Sequence, residues 1–191
     1  MENIQKTRFD RADWIQLFLV CGFPIQFWAL FSSLRDFTWL IGQVGLWDGI
    51  GFLSYVLIYA FIDTFLLFFI VATVSFLTPK SWQIEYRFTW LAWLGFSIAI
   101  LSLVDQILVS NIYVRWVEGF LDWLPFPVWS LLVFSLGIII LTIIFPQITL
   151  KKNFKILDGL YSFLDKVATL SIFYIILDGF GFVVVLIRTA N

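Results

Sequence analysis

Apolar residues fall in five long runs, separated by short stretches where polar residues gather. A helix rising 1.5 Å per residue needs about 20 mainly apolar residues to cross a hydrocarbon layer of about 30 Å. Five stretches satisfy this: Trp14–Leu34, Phe52–Leu77, Phe88–Val109, Phe126–Ile148 and Val167–Ile187. The pattern predicts an all-α fold, an integral membrane bundle of five transmembrane helices. It forms a single domain over residues 1–191, because no connection is long enough to hold a separate core.

Two connections carry a helical pattern of their own. In "NIYVRWVEGFLDWLPFPVW", Ile112, Trp116, Phe120 and Leu124 share one face, while Arg115, Glu118 and Asp122 share another. This predicts a short amphipathic helix in the outer interface, ended by Pro125 and Pro127. "KKNFKILDGLYSFLDK" repeats the arrangement inside, with Phe154, Leu157, Tyr161 and Leu164 facing lipid or the bundle. Its lysines face anionic headgroups. The connection after the first span holds Gly42, Gly45, Gly49 and Gly51 around Trp47, and reads as a flexible outer loop. Trp39, Trp47, Trp82, Trp116, Trp123 and Trp129 fall near span ends, as interfacial aromatic belts do. Pro24 predicts a kink or break within the first span.

Composition strengthens the membrane reading. Hydrophobic residues make up 61% and charged residues 13% of the chain, and mean hydropathy is +0.96. A soluble domain has about 25% charged residues, so lipid must cover much of this surface. Lys and Arg then set the orientation. Lys6, Arg8, Arg11, Lys80, Arg87, Lys151, Lys152, Lys155 and Lys166 lie on one side of the predicted layer. Arg35, Arg115 and Arg188 lie on the other. This bias places the N-terminus in the cytoplasm and the C-terminus outside a cell membrane. The first span reads as retained rather than cleaved, because no small-residue cleavage site follows it.

Charge and residue type also exclude chemistries. A net charge of −1 gives no basic field for nucleic acid. Cys21 is the single cysteine, so no internal disulfide or CxxC chemistry exists. The chain has no His, which removes the commonest metal ligand and general base. No cofactor and no metal is expected.

The candidate chemistry rests on acids inside the spans: Asp63, Asp105 and Asp178. An aspartate at a helix centre costs about 2.5–3.5 kcal/mol on insertion scales. Each therefore has reason to face protein, water or a partner. Asp63 and Asp178 sit near the midpoints of their spans, at similar depth. "YAFID" and "YIILD" place Tyr59 and Tyr174 four residues before these acids, on the same helix face. A phenol then reaches the carboxyl within one helix or across to the other. Asp63, Asp178, Tyr59 and Tyr174 form a predicted intramembrane polar seam. Asp105 lies toward the outer end of the third span, near interfacial water. No Lys or Arg lies within any predicted span. The acids are either neutral donors between helices, or ionised and matched by a transported cation or by a basic residue of another subunit.

Familiar motifs do not fit. "LDGFGF" and "WDGIGF" echo one another, but Asp178 is mid-membrane and Asp48 lies in a connection. In both, the acid precedes the glycines, opposite to the Gly-x-Gly-Asp order of intramembrane aspartyl proteases. No phosphate-binding glycine-rich lysine loop is present. "FPIQFWALFSSLRDFTW", with "WDGIGFLSYVLIYAFIDTF", resembles small bacterial polytopic membrane proteins with an FPI-x-FW, RDF-x-W and WD-x-IG pattern. That resemblance covers the first third to half of the chain and implies no activity or site. The five-span layout is also similar to the membrane anchor of lipoteichoic-acid-synthase-type enzymes, but their catalytic domain after the last span is not expected here. The reading that follows is a non-enzymatic accessory or assembly subunit, with the lipid bilayer, a membrane-protein partner or a second copy as its contacts. The alternative is a small proton- or cation-coupled transport component using the mid-membrane carboxylates.

Overall fold

The computed structural model describes residues 9–79, 82–107, 135–137, 140 and 154–190. The long elements among these are α1 (Arg11–Val44), α2 (Leu46–Leu77), α3 (Ile84–Ile107) and α4 (Phe154–Ala190). All four are long and apolar enough to cross a membrane. The predicted fourth span, the outer amphipathic segment and Arg115 lie almost wholly outside the described residues. Of that stretch, a Cβ on Gly137 would fall 2.7 Å from Leu101 Cδ2, so Gly137 lies against α3.

Helix α1 begins at a capping box. The Asp13 backbone N–H donates to the Asp10 carboxylate, and the Asp10 N–H donates to the Asp13 carboxylate, both at 2.9 Å. The helix continues past Pro24, which is buried, without the expected break. It ends at Gly45, whose φ of 88° favours glycine. The Gly45 N–H donates to Ile41 O at 2.9 Å, and Gly45 O accepts from Gly49 N–H at 3.0 Å. One residue therefore ends α1 and starts α2.

That corner corrects two expectations. Residues 35–51 are not a flexible loop, because both helices run on beyond the apolar spans. Phe37 and Ile41, one turn apart on α1, lie where a Cβ on Gly49 would meet them at 3.4 and 3.2 Å. This packing at the corner supports helix where hydropathy has already fallen. Nor is "FKILDGLYSFLDK" a separate interfacial helix: α4 runs through it into the last span. Leu164, Val167, Ala168, Ser171, Asp178, Gly181 and Val184 form one buried stripe at helical spacing, with no proline to break it. Tyr161 meets Phe88 edge-on, with ring centroids 5.9 Å apart. The side chains of Phe154 and Leu157 lie outside the described residues.

Packing in the bundle depends on small side chains. The buried face of α2 includes Gly51, Ser54, Ala60, Thr64, Val71 and Ser75. Where lipid tails are as apolar as leucine, close backbone approach supplies the contact energy. A Cβ on Gly181 of α4 would stand 3.3 Å from Ser54 O. One on Gly22 of α1 would stand 2.9 Å from Thr64 Cγ2. Outward-facing Phe65, Phe69, Phe76, Phe173, Phe180 and Phe182 are exposed, as lipid-facing positions are.

Both ends of the bundle are tied. At the N-terminal end, Arg87 donates to Ser75 O and Thr78 Oγ1, closing the last turn of α2. Its guanidinium also lies 4.9 Å from the Phe9 ring centroid. At the other end, Arg188 donates to Trp47 O and to Asp48 Oδ1, both at 2.7 Å. Gln16 Nε2 donates to Asp165 Oδ1 at 3.0 Å. The pairs Gln16–Asp165 and Arg188–Asp48 show that α4 runs parallel to α1. Phe9 and Phe88, 6.3 Å apart, set the start of α3 beside the start of α1.

Candidate functional site

The two mid-helix acids occupy different environments. Asp178 is 7% exposed and accepts a hydrogen bond from Gln26 Nε2 at 2.8 Å. Gln26, two residues after Pro24 on α1, is 3% exposed. The surrounding cavity is lined by Phe18, Gly22, Phe61, Thr64, Ser171 and Tyr174, among others. Its volume is about 10 Å³, at the lower limit for a single water. This is a narrow, buried polar contact between α1 and α4, with Thr64 of α2 beside it.

The Thr64 and Ser171 hydroxyls beside Asp178 are already committed. Thr64 Oγ1 donates to Ala60 O at 2.8 Å, and Ser171 Oγ donates to Val167 O at 2.9 Å. Gln26 Oε1 and Asp178 Oδ1 are both buried without a hydrogen-bond partner.

Asp63 faces elsewhere. It is exposed and lines a groove between α1, α2 and α3 with a volume of about 820 Å³. The walls are mostly apolar, with Ile25, Val56, Leu67, Ile70 and Ile98 among them. Ser32, Ser33, Asp36, Ser102 and Gln106 gather toward the Gly45 end. Asp36 is held by Arg35, Nε to Oδ1 at 2.9 Å. Asp63 lies about 27 Å along α2 from Gly45 at 1.5 Å per residue, near the middle of the helix. Among the described residues it makes no hydrogen bond and no ion pair.

The predicted seam is thus distributed. Asp178 and Tyr174 line the small cavity between α1 and α4, and Tyr174 packs edge-on to Phe23 with centroids 5.9 Å apart. Asp63 and Tyr59 line the open groove, where Tyr59 is 65% exposed. No hydrogen bond joins Tyr59 to Asp63, or Tyr174 to Asp178, among the described residues. A single residue step on α2, a rotation of about 100°, separates the two environments, because Thr64 faces inward and Asp63 outward. The side chain of Asp105 lies outside the described residues.

The sequence reading missed Gln26. Its signal was present: Gln26 and Asp178 each follow the midpoint of a span by one or two residues, and both spans were predicted to run outward. Equal offset in parallel helices means equal depth.

Among the described residues, no three His, Cys, Asp or Glu side chains cluster as metal ligands. No family model, no curated protein and no solved structure matches the chain.

Proposed function

We propose that this chain is a non-enzymatic integral membrane subunit that holds a transmembrane helix of a different membrane protein in the α1–α2–α3 groove. The observation that carries this reading is Asp63, an exposed carboxyl on a largely apolar wall at mid-depth. Such a group is costly against lipid and marks a functional contact. The chain has no Lys or Arg in any predicted span, so a second copy brings no cation to that depth. A partner helix with a basic or hydrogen-bond-donating side chain opposite Asp63 meets the need, and its apolar residues fill the remaining walls.

The bundle in this reading has five spans in the cell membrane, N-terminus inside and C-terminus outside. Helix directions support the count. The chain leaves α3 at the Gly45 end and enters α4 at the opposite end, which is consistent with the further span that hydropathy predicts between them. The distribution of Lys and Arg supports the orientation.

Native mass spectrometry after mild detergent extraction tests the assembly role. A discrete heteromeric complex is expected, lost in Asp63→Leu while circular dichroism still reports a folded bundle. A lone monomer in several detergents and in lipid nanodiscs refutes it.

The second reading, proton or cation transport, is favoured by Asp63 opening onto a cavity. It requires flux in reconstituted vesicles carrying a pH-sensitive dye, and loss of that flux in Asp63→Asn. Vesicles without flux remove it.

A further inference from the structure

The buried contact between α1 and α4 holds two oxygens that lack a donor. Its polar inventory is set by residue chemistry. Gln26 brings an amide N–H₂, one hydrogen of which reaches Asp178 Oδ2. Thr64 and Ser171 have spent their hydroxyl hydrogens on their own helices and remain only as acceptors. Gln26 Oε1 and Asp178 Oδ1 are both oxygens, both buried and both unpartnered. Two acceptors cannot satisfy each other, and a cavity of about 10 Å³ leaves little room for water to mediate. Among the described residues no basic side chain lines the cavity, and Tyr174 is the only other titratable group in its lining. Asp63, the nearest acid on α2, opens to the other groove.

We propose that Asp178 is held as a neutral carboxylic acid and donates its hydrogen to the Gln26 amide oxygen. The bond already received from Gln26 Nε2 completes a reciprocal amide–acid pair. One proton satisfies both orphaned oxygens. A carboxyl group kept neutral so that it can donate is an established device in apolar sites; here it joins two transmembrane helices. The inference is independent of what occupies the groove at Asp63. It also removes Asp178 from the set of carboxylates able to carry an ion.

Infrared difference spectroscopy of the full-length protein in lipid at neutral pH tests it. Wild type minus Asp178→Asn is expected to show loss of a carboxylic-acid C=O band, with the carboxylate bands unchanged. Labelling aspartate with ¹³C shifts that band. Loss of a carboxylate band instead overturns the proposal. Gln26→Leu keeps Asp178 but removes its acceptor, and is expected to move the acid band to higher frequency. An unmoved band overturns the pairing.

Discussion

Removing Gln26 and Asp178 singly and together measures how much their contact holds α1 to α4. Gln26→Leu nearly conserves volume, so its cost is polar rather than steric. It takes away the only hydrogen bond Asp178 receives among the described residues. A buried polar group left without its partner costs about 1–3 kcal/mol. Asp178→Leu does the same to the Gln26 amide. Interhelical hydrogen bonds inside membranes average about 0.6 kcal/mol and reach about 1.7, because the unfolded chain in lipid also finds partners. The membrane scale therefore governs, and each single substitution is expected to cost about 0.6–1.7 kcal/mol. The double substitution leaves no orphaned polar atom of the pair, and replacing both partners by apolar groups is close to neutral. Its cost should fall below the sum of the singles by at least about 1 kcal/mol. Reversible unfolding in bicelles, followed by tryptophan fluorescence, supplies all three values. Additivity within about 0.5 kcal/mol, the behaviour of distant independent sites, refutes the claim that these side chains act as a unit.

Other perturbations probe the fold around this contact. Gly45→Ala places a Cβ at φ 88° and ψ 165°, a region open essentially to glycine alone, and is expected to cost about 1–3 kcal/mol in the same assay. Gly181→Leu drives a side chain against Ser54 O, 3.3 Å from the Cβ position. It should destabilise by about 1–3 kcal/mol, with Gly181→Ala far milder; cysteine cross-linking between α2 and α4 should weaken in step. Arg188→Gln keeps a donor but loses the charge facing Asp48. Because the pair is partly exposed, the expected loss is under about 1 kcal/mol and shrinks with added salt.

What the sequence made legible followed from hydropathy and helical period. The four described helices cover the four predicted spans that fall among the described residues. Helix ends were less legible, because a span stops where lipid stops while a helix stops where its backbone is capped. Phe37 and Ile41 continue α1 beyond Arg35 by packing at the corner, which no average over apolar residues registers. The same difference hid the continuity of α4 through Asp165 and Lys166, whose charges sit on its exposed side. For the acids, depth was readable but azimuth was not. Neighbours on a helix are turned by about 100°, so Thr64 enters the small cavity while Asp63 opens to the groove. The Tyr-x-x-x-Asp spacing put each tyrosine on the face of its acid. It did not register that Tyr59 points into the open groove, or that Tyr174 meets Phe23 at the edge of the buried stripe.

The corner at Gly45 leaves no slack between α1 and α2. With a single residue joining them and Arg188 clamped on Trp47 and Asp48 beside it, neither helix can slide along its axis without carrying the other. Any axial movement of this pair is a movement of one body. An epitope tag or protease site inserted between Gly42 and Trp47 is expected to break this coupling, because it replaces a one-residue corner by a loop.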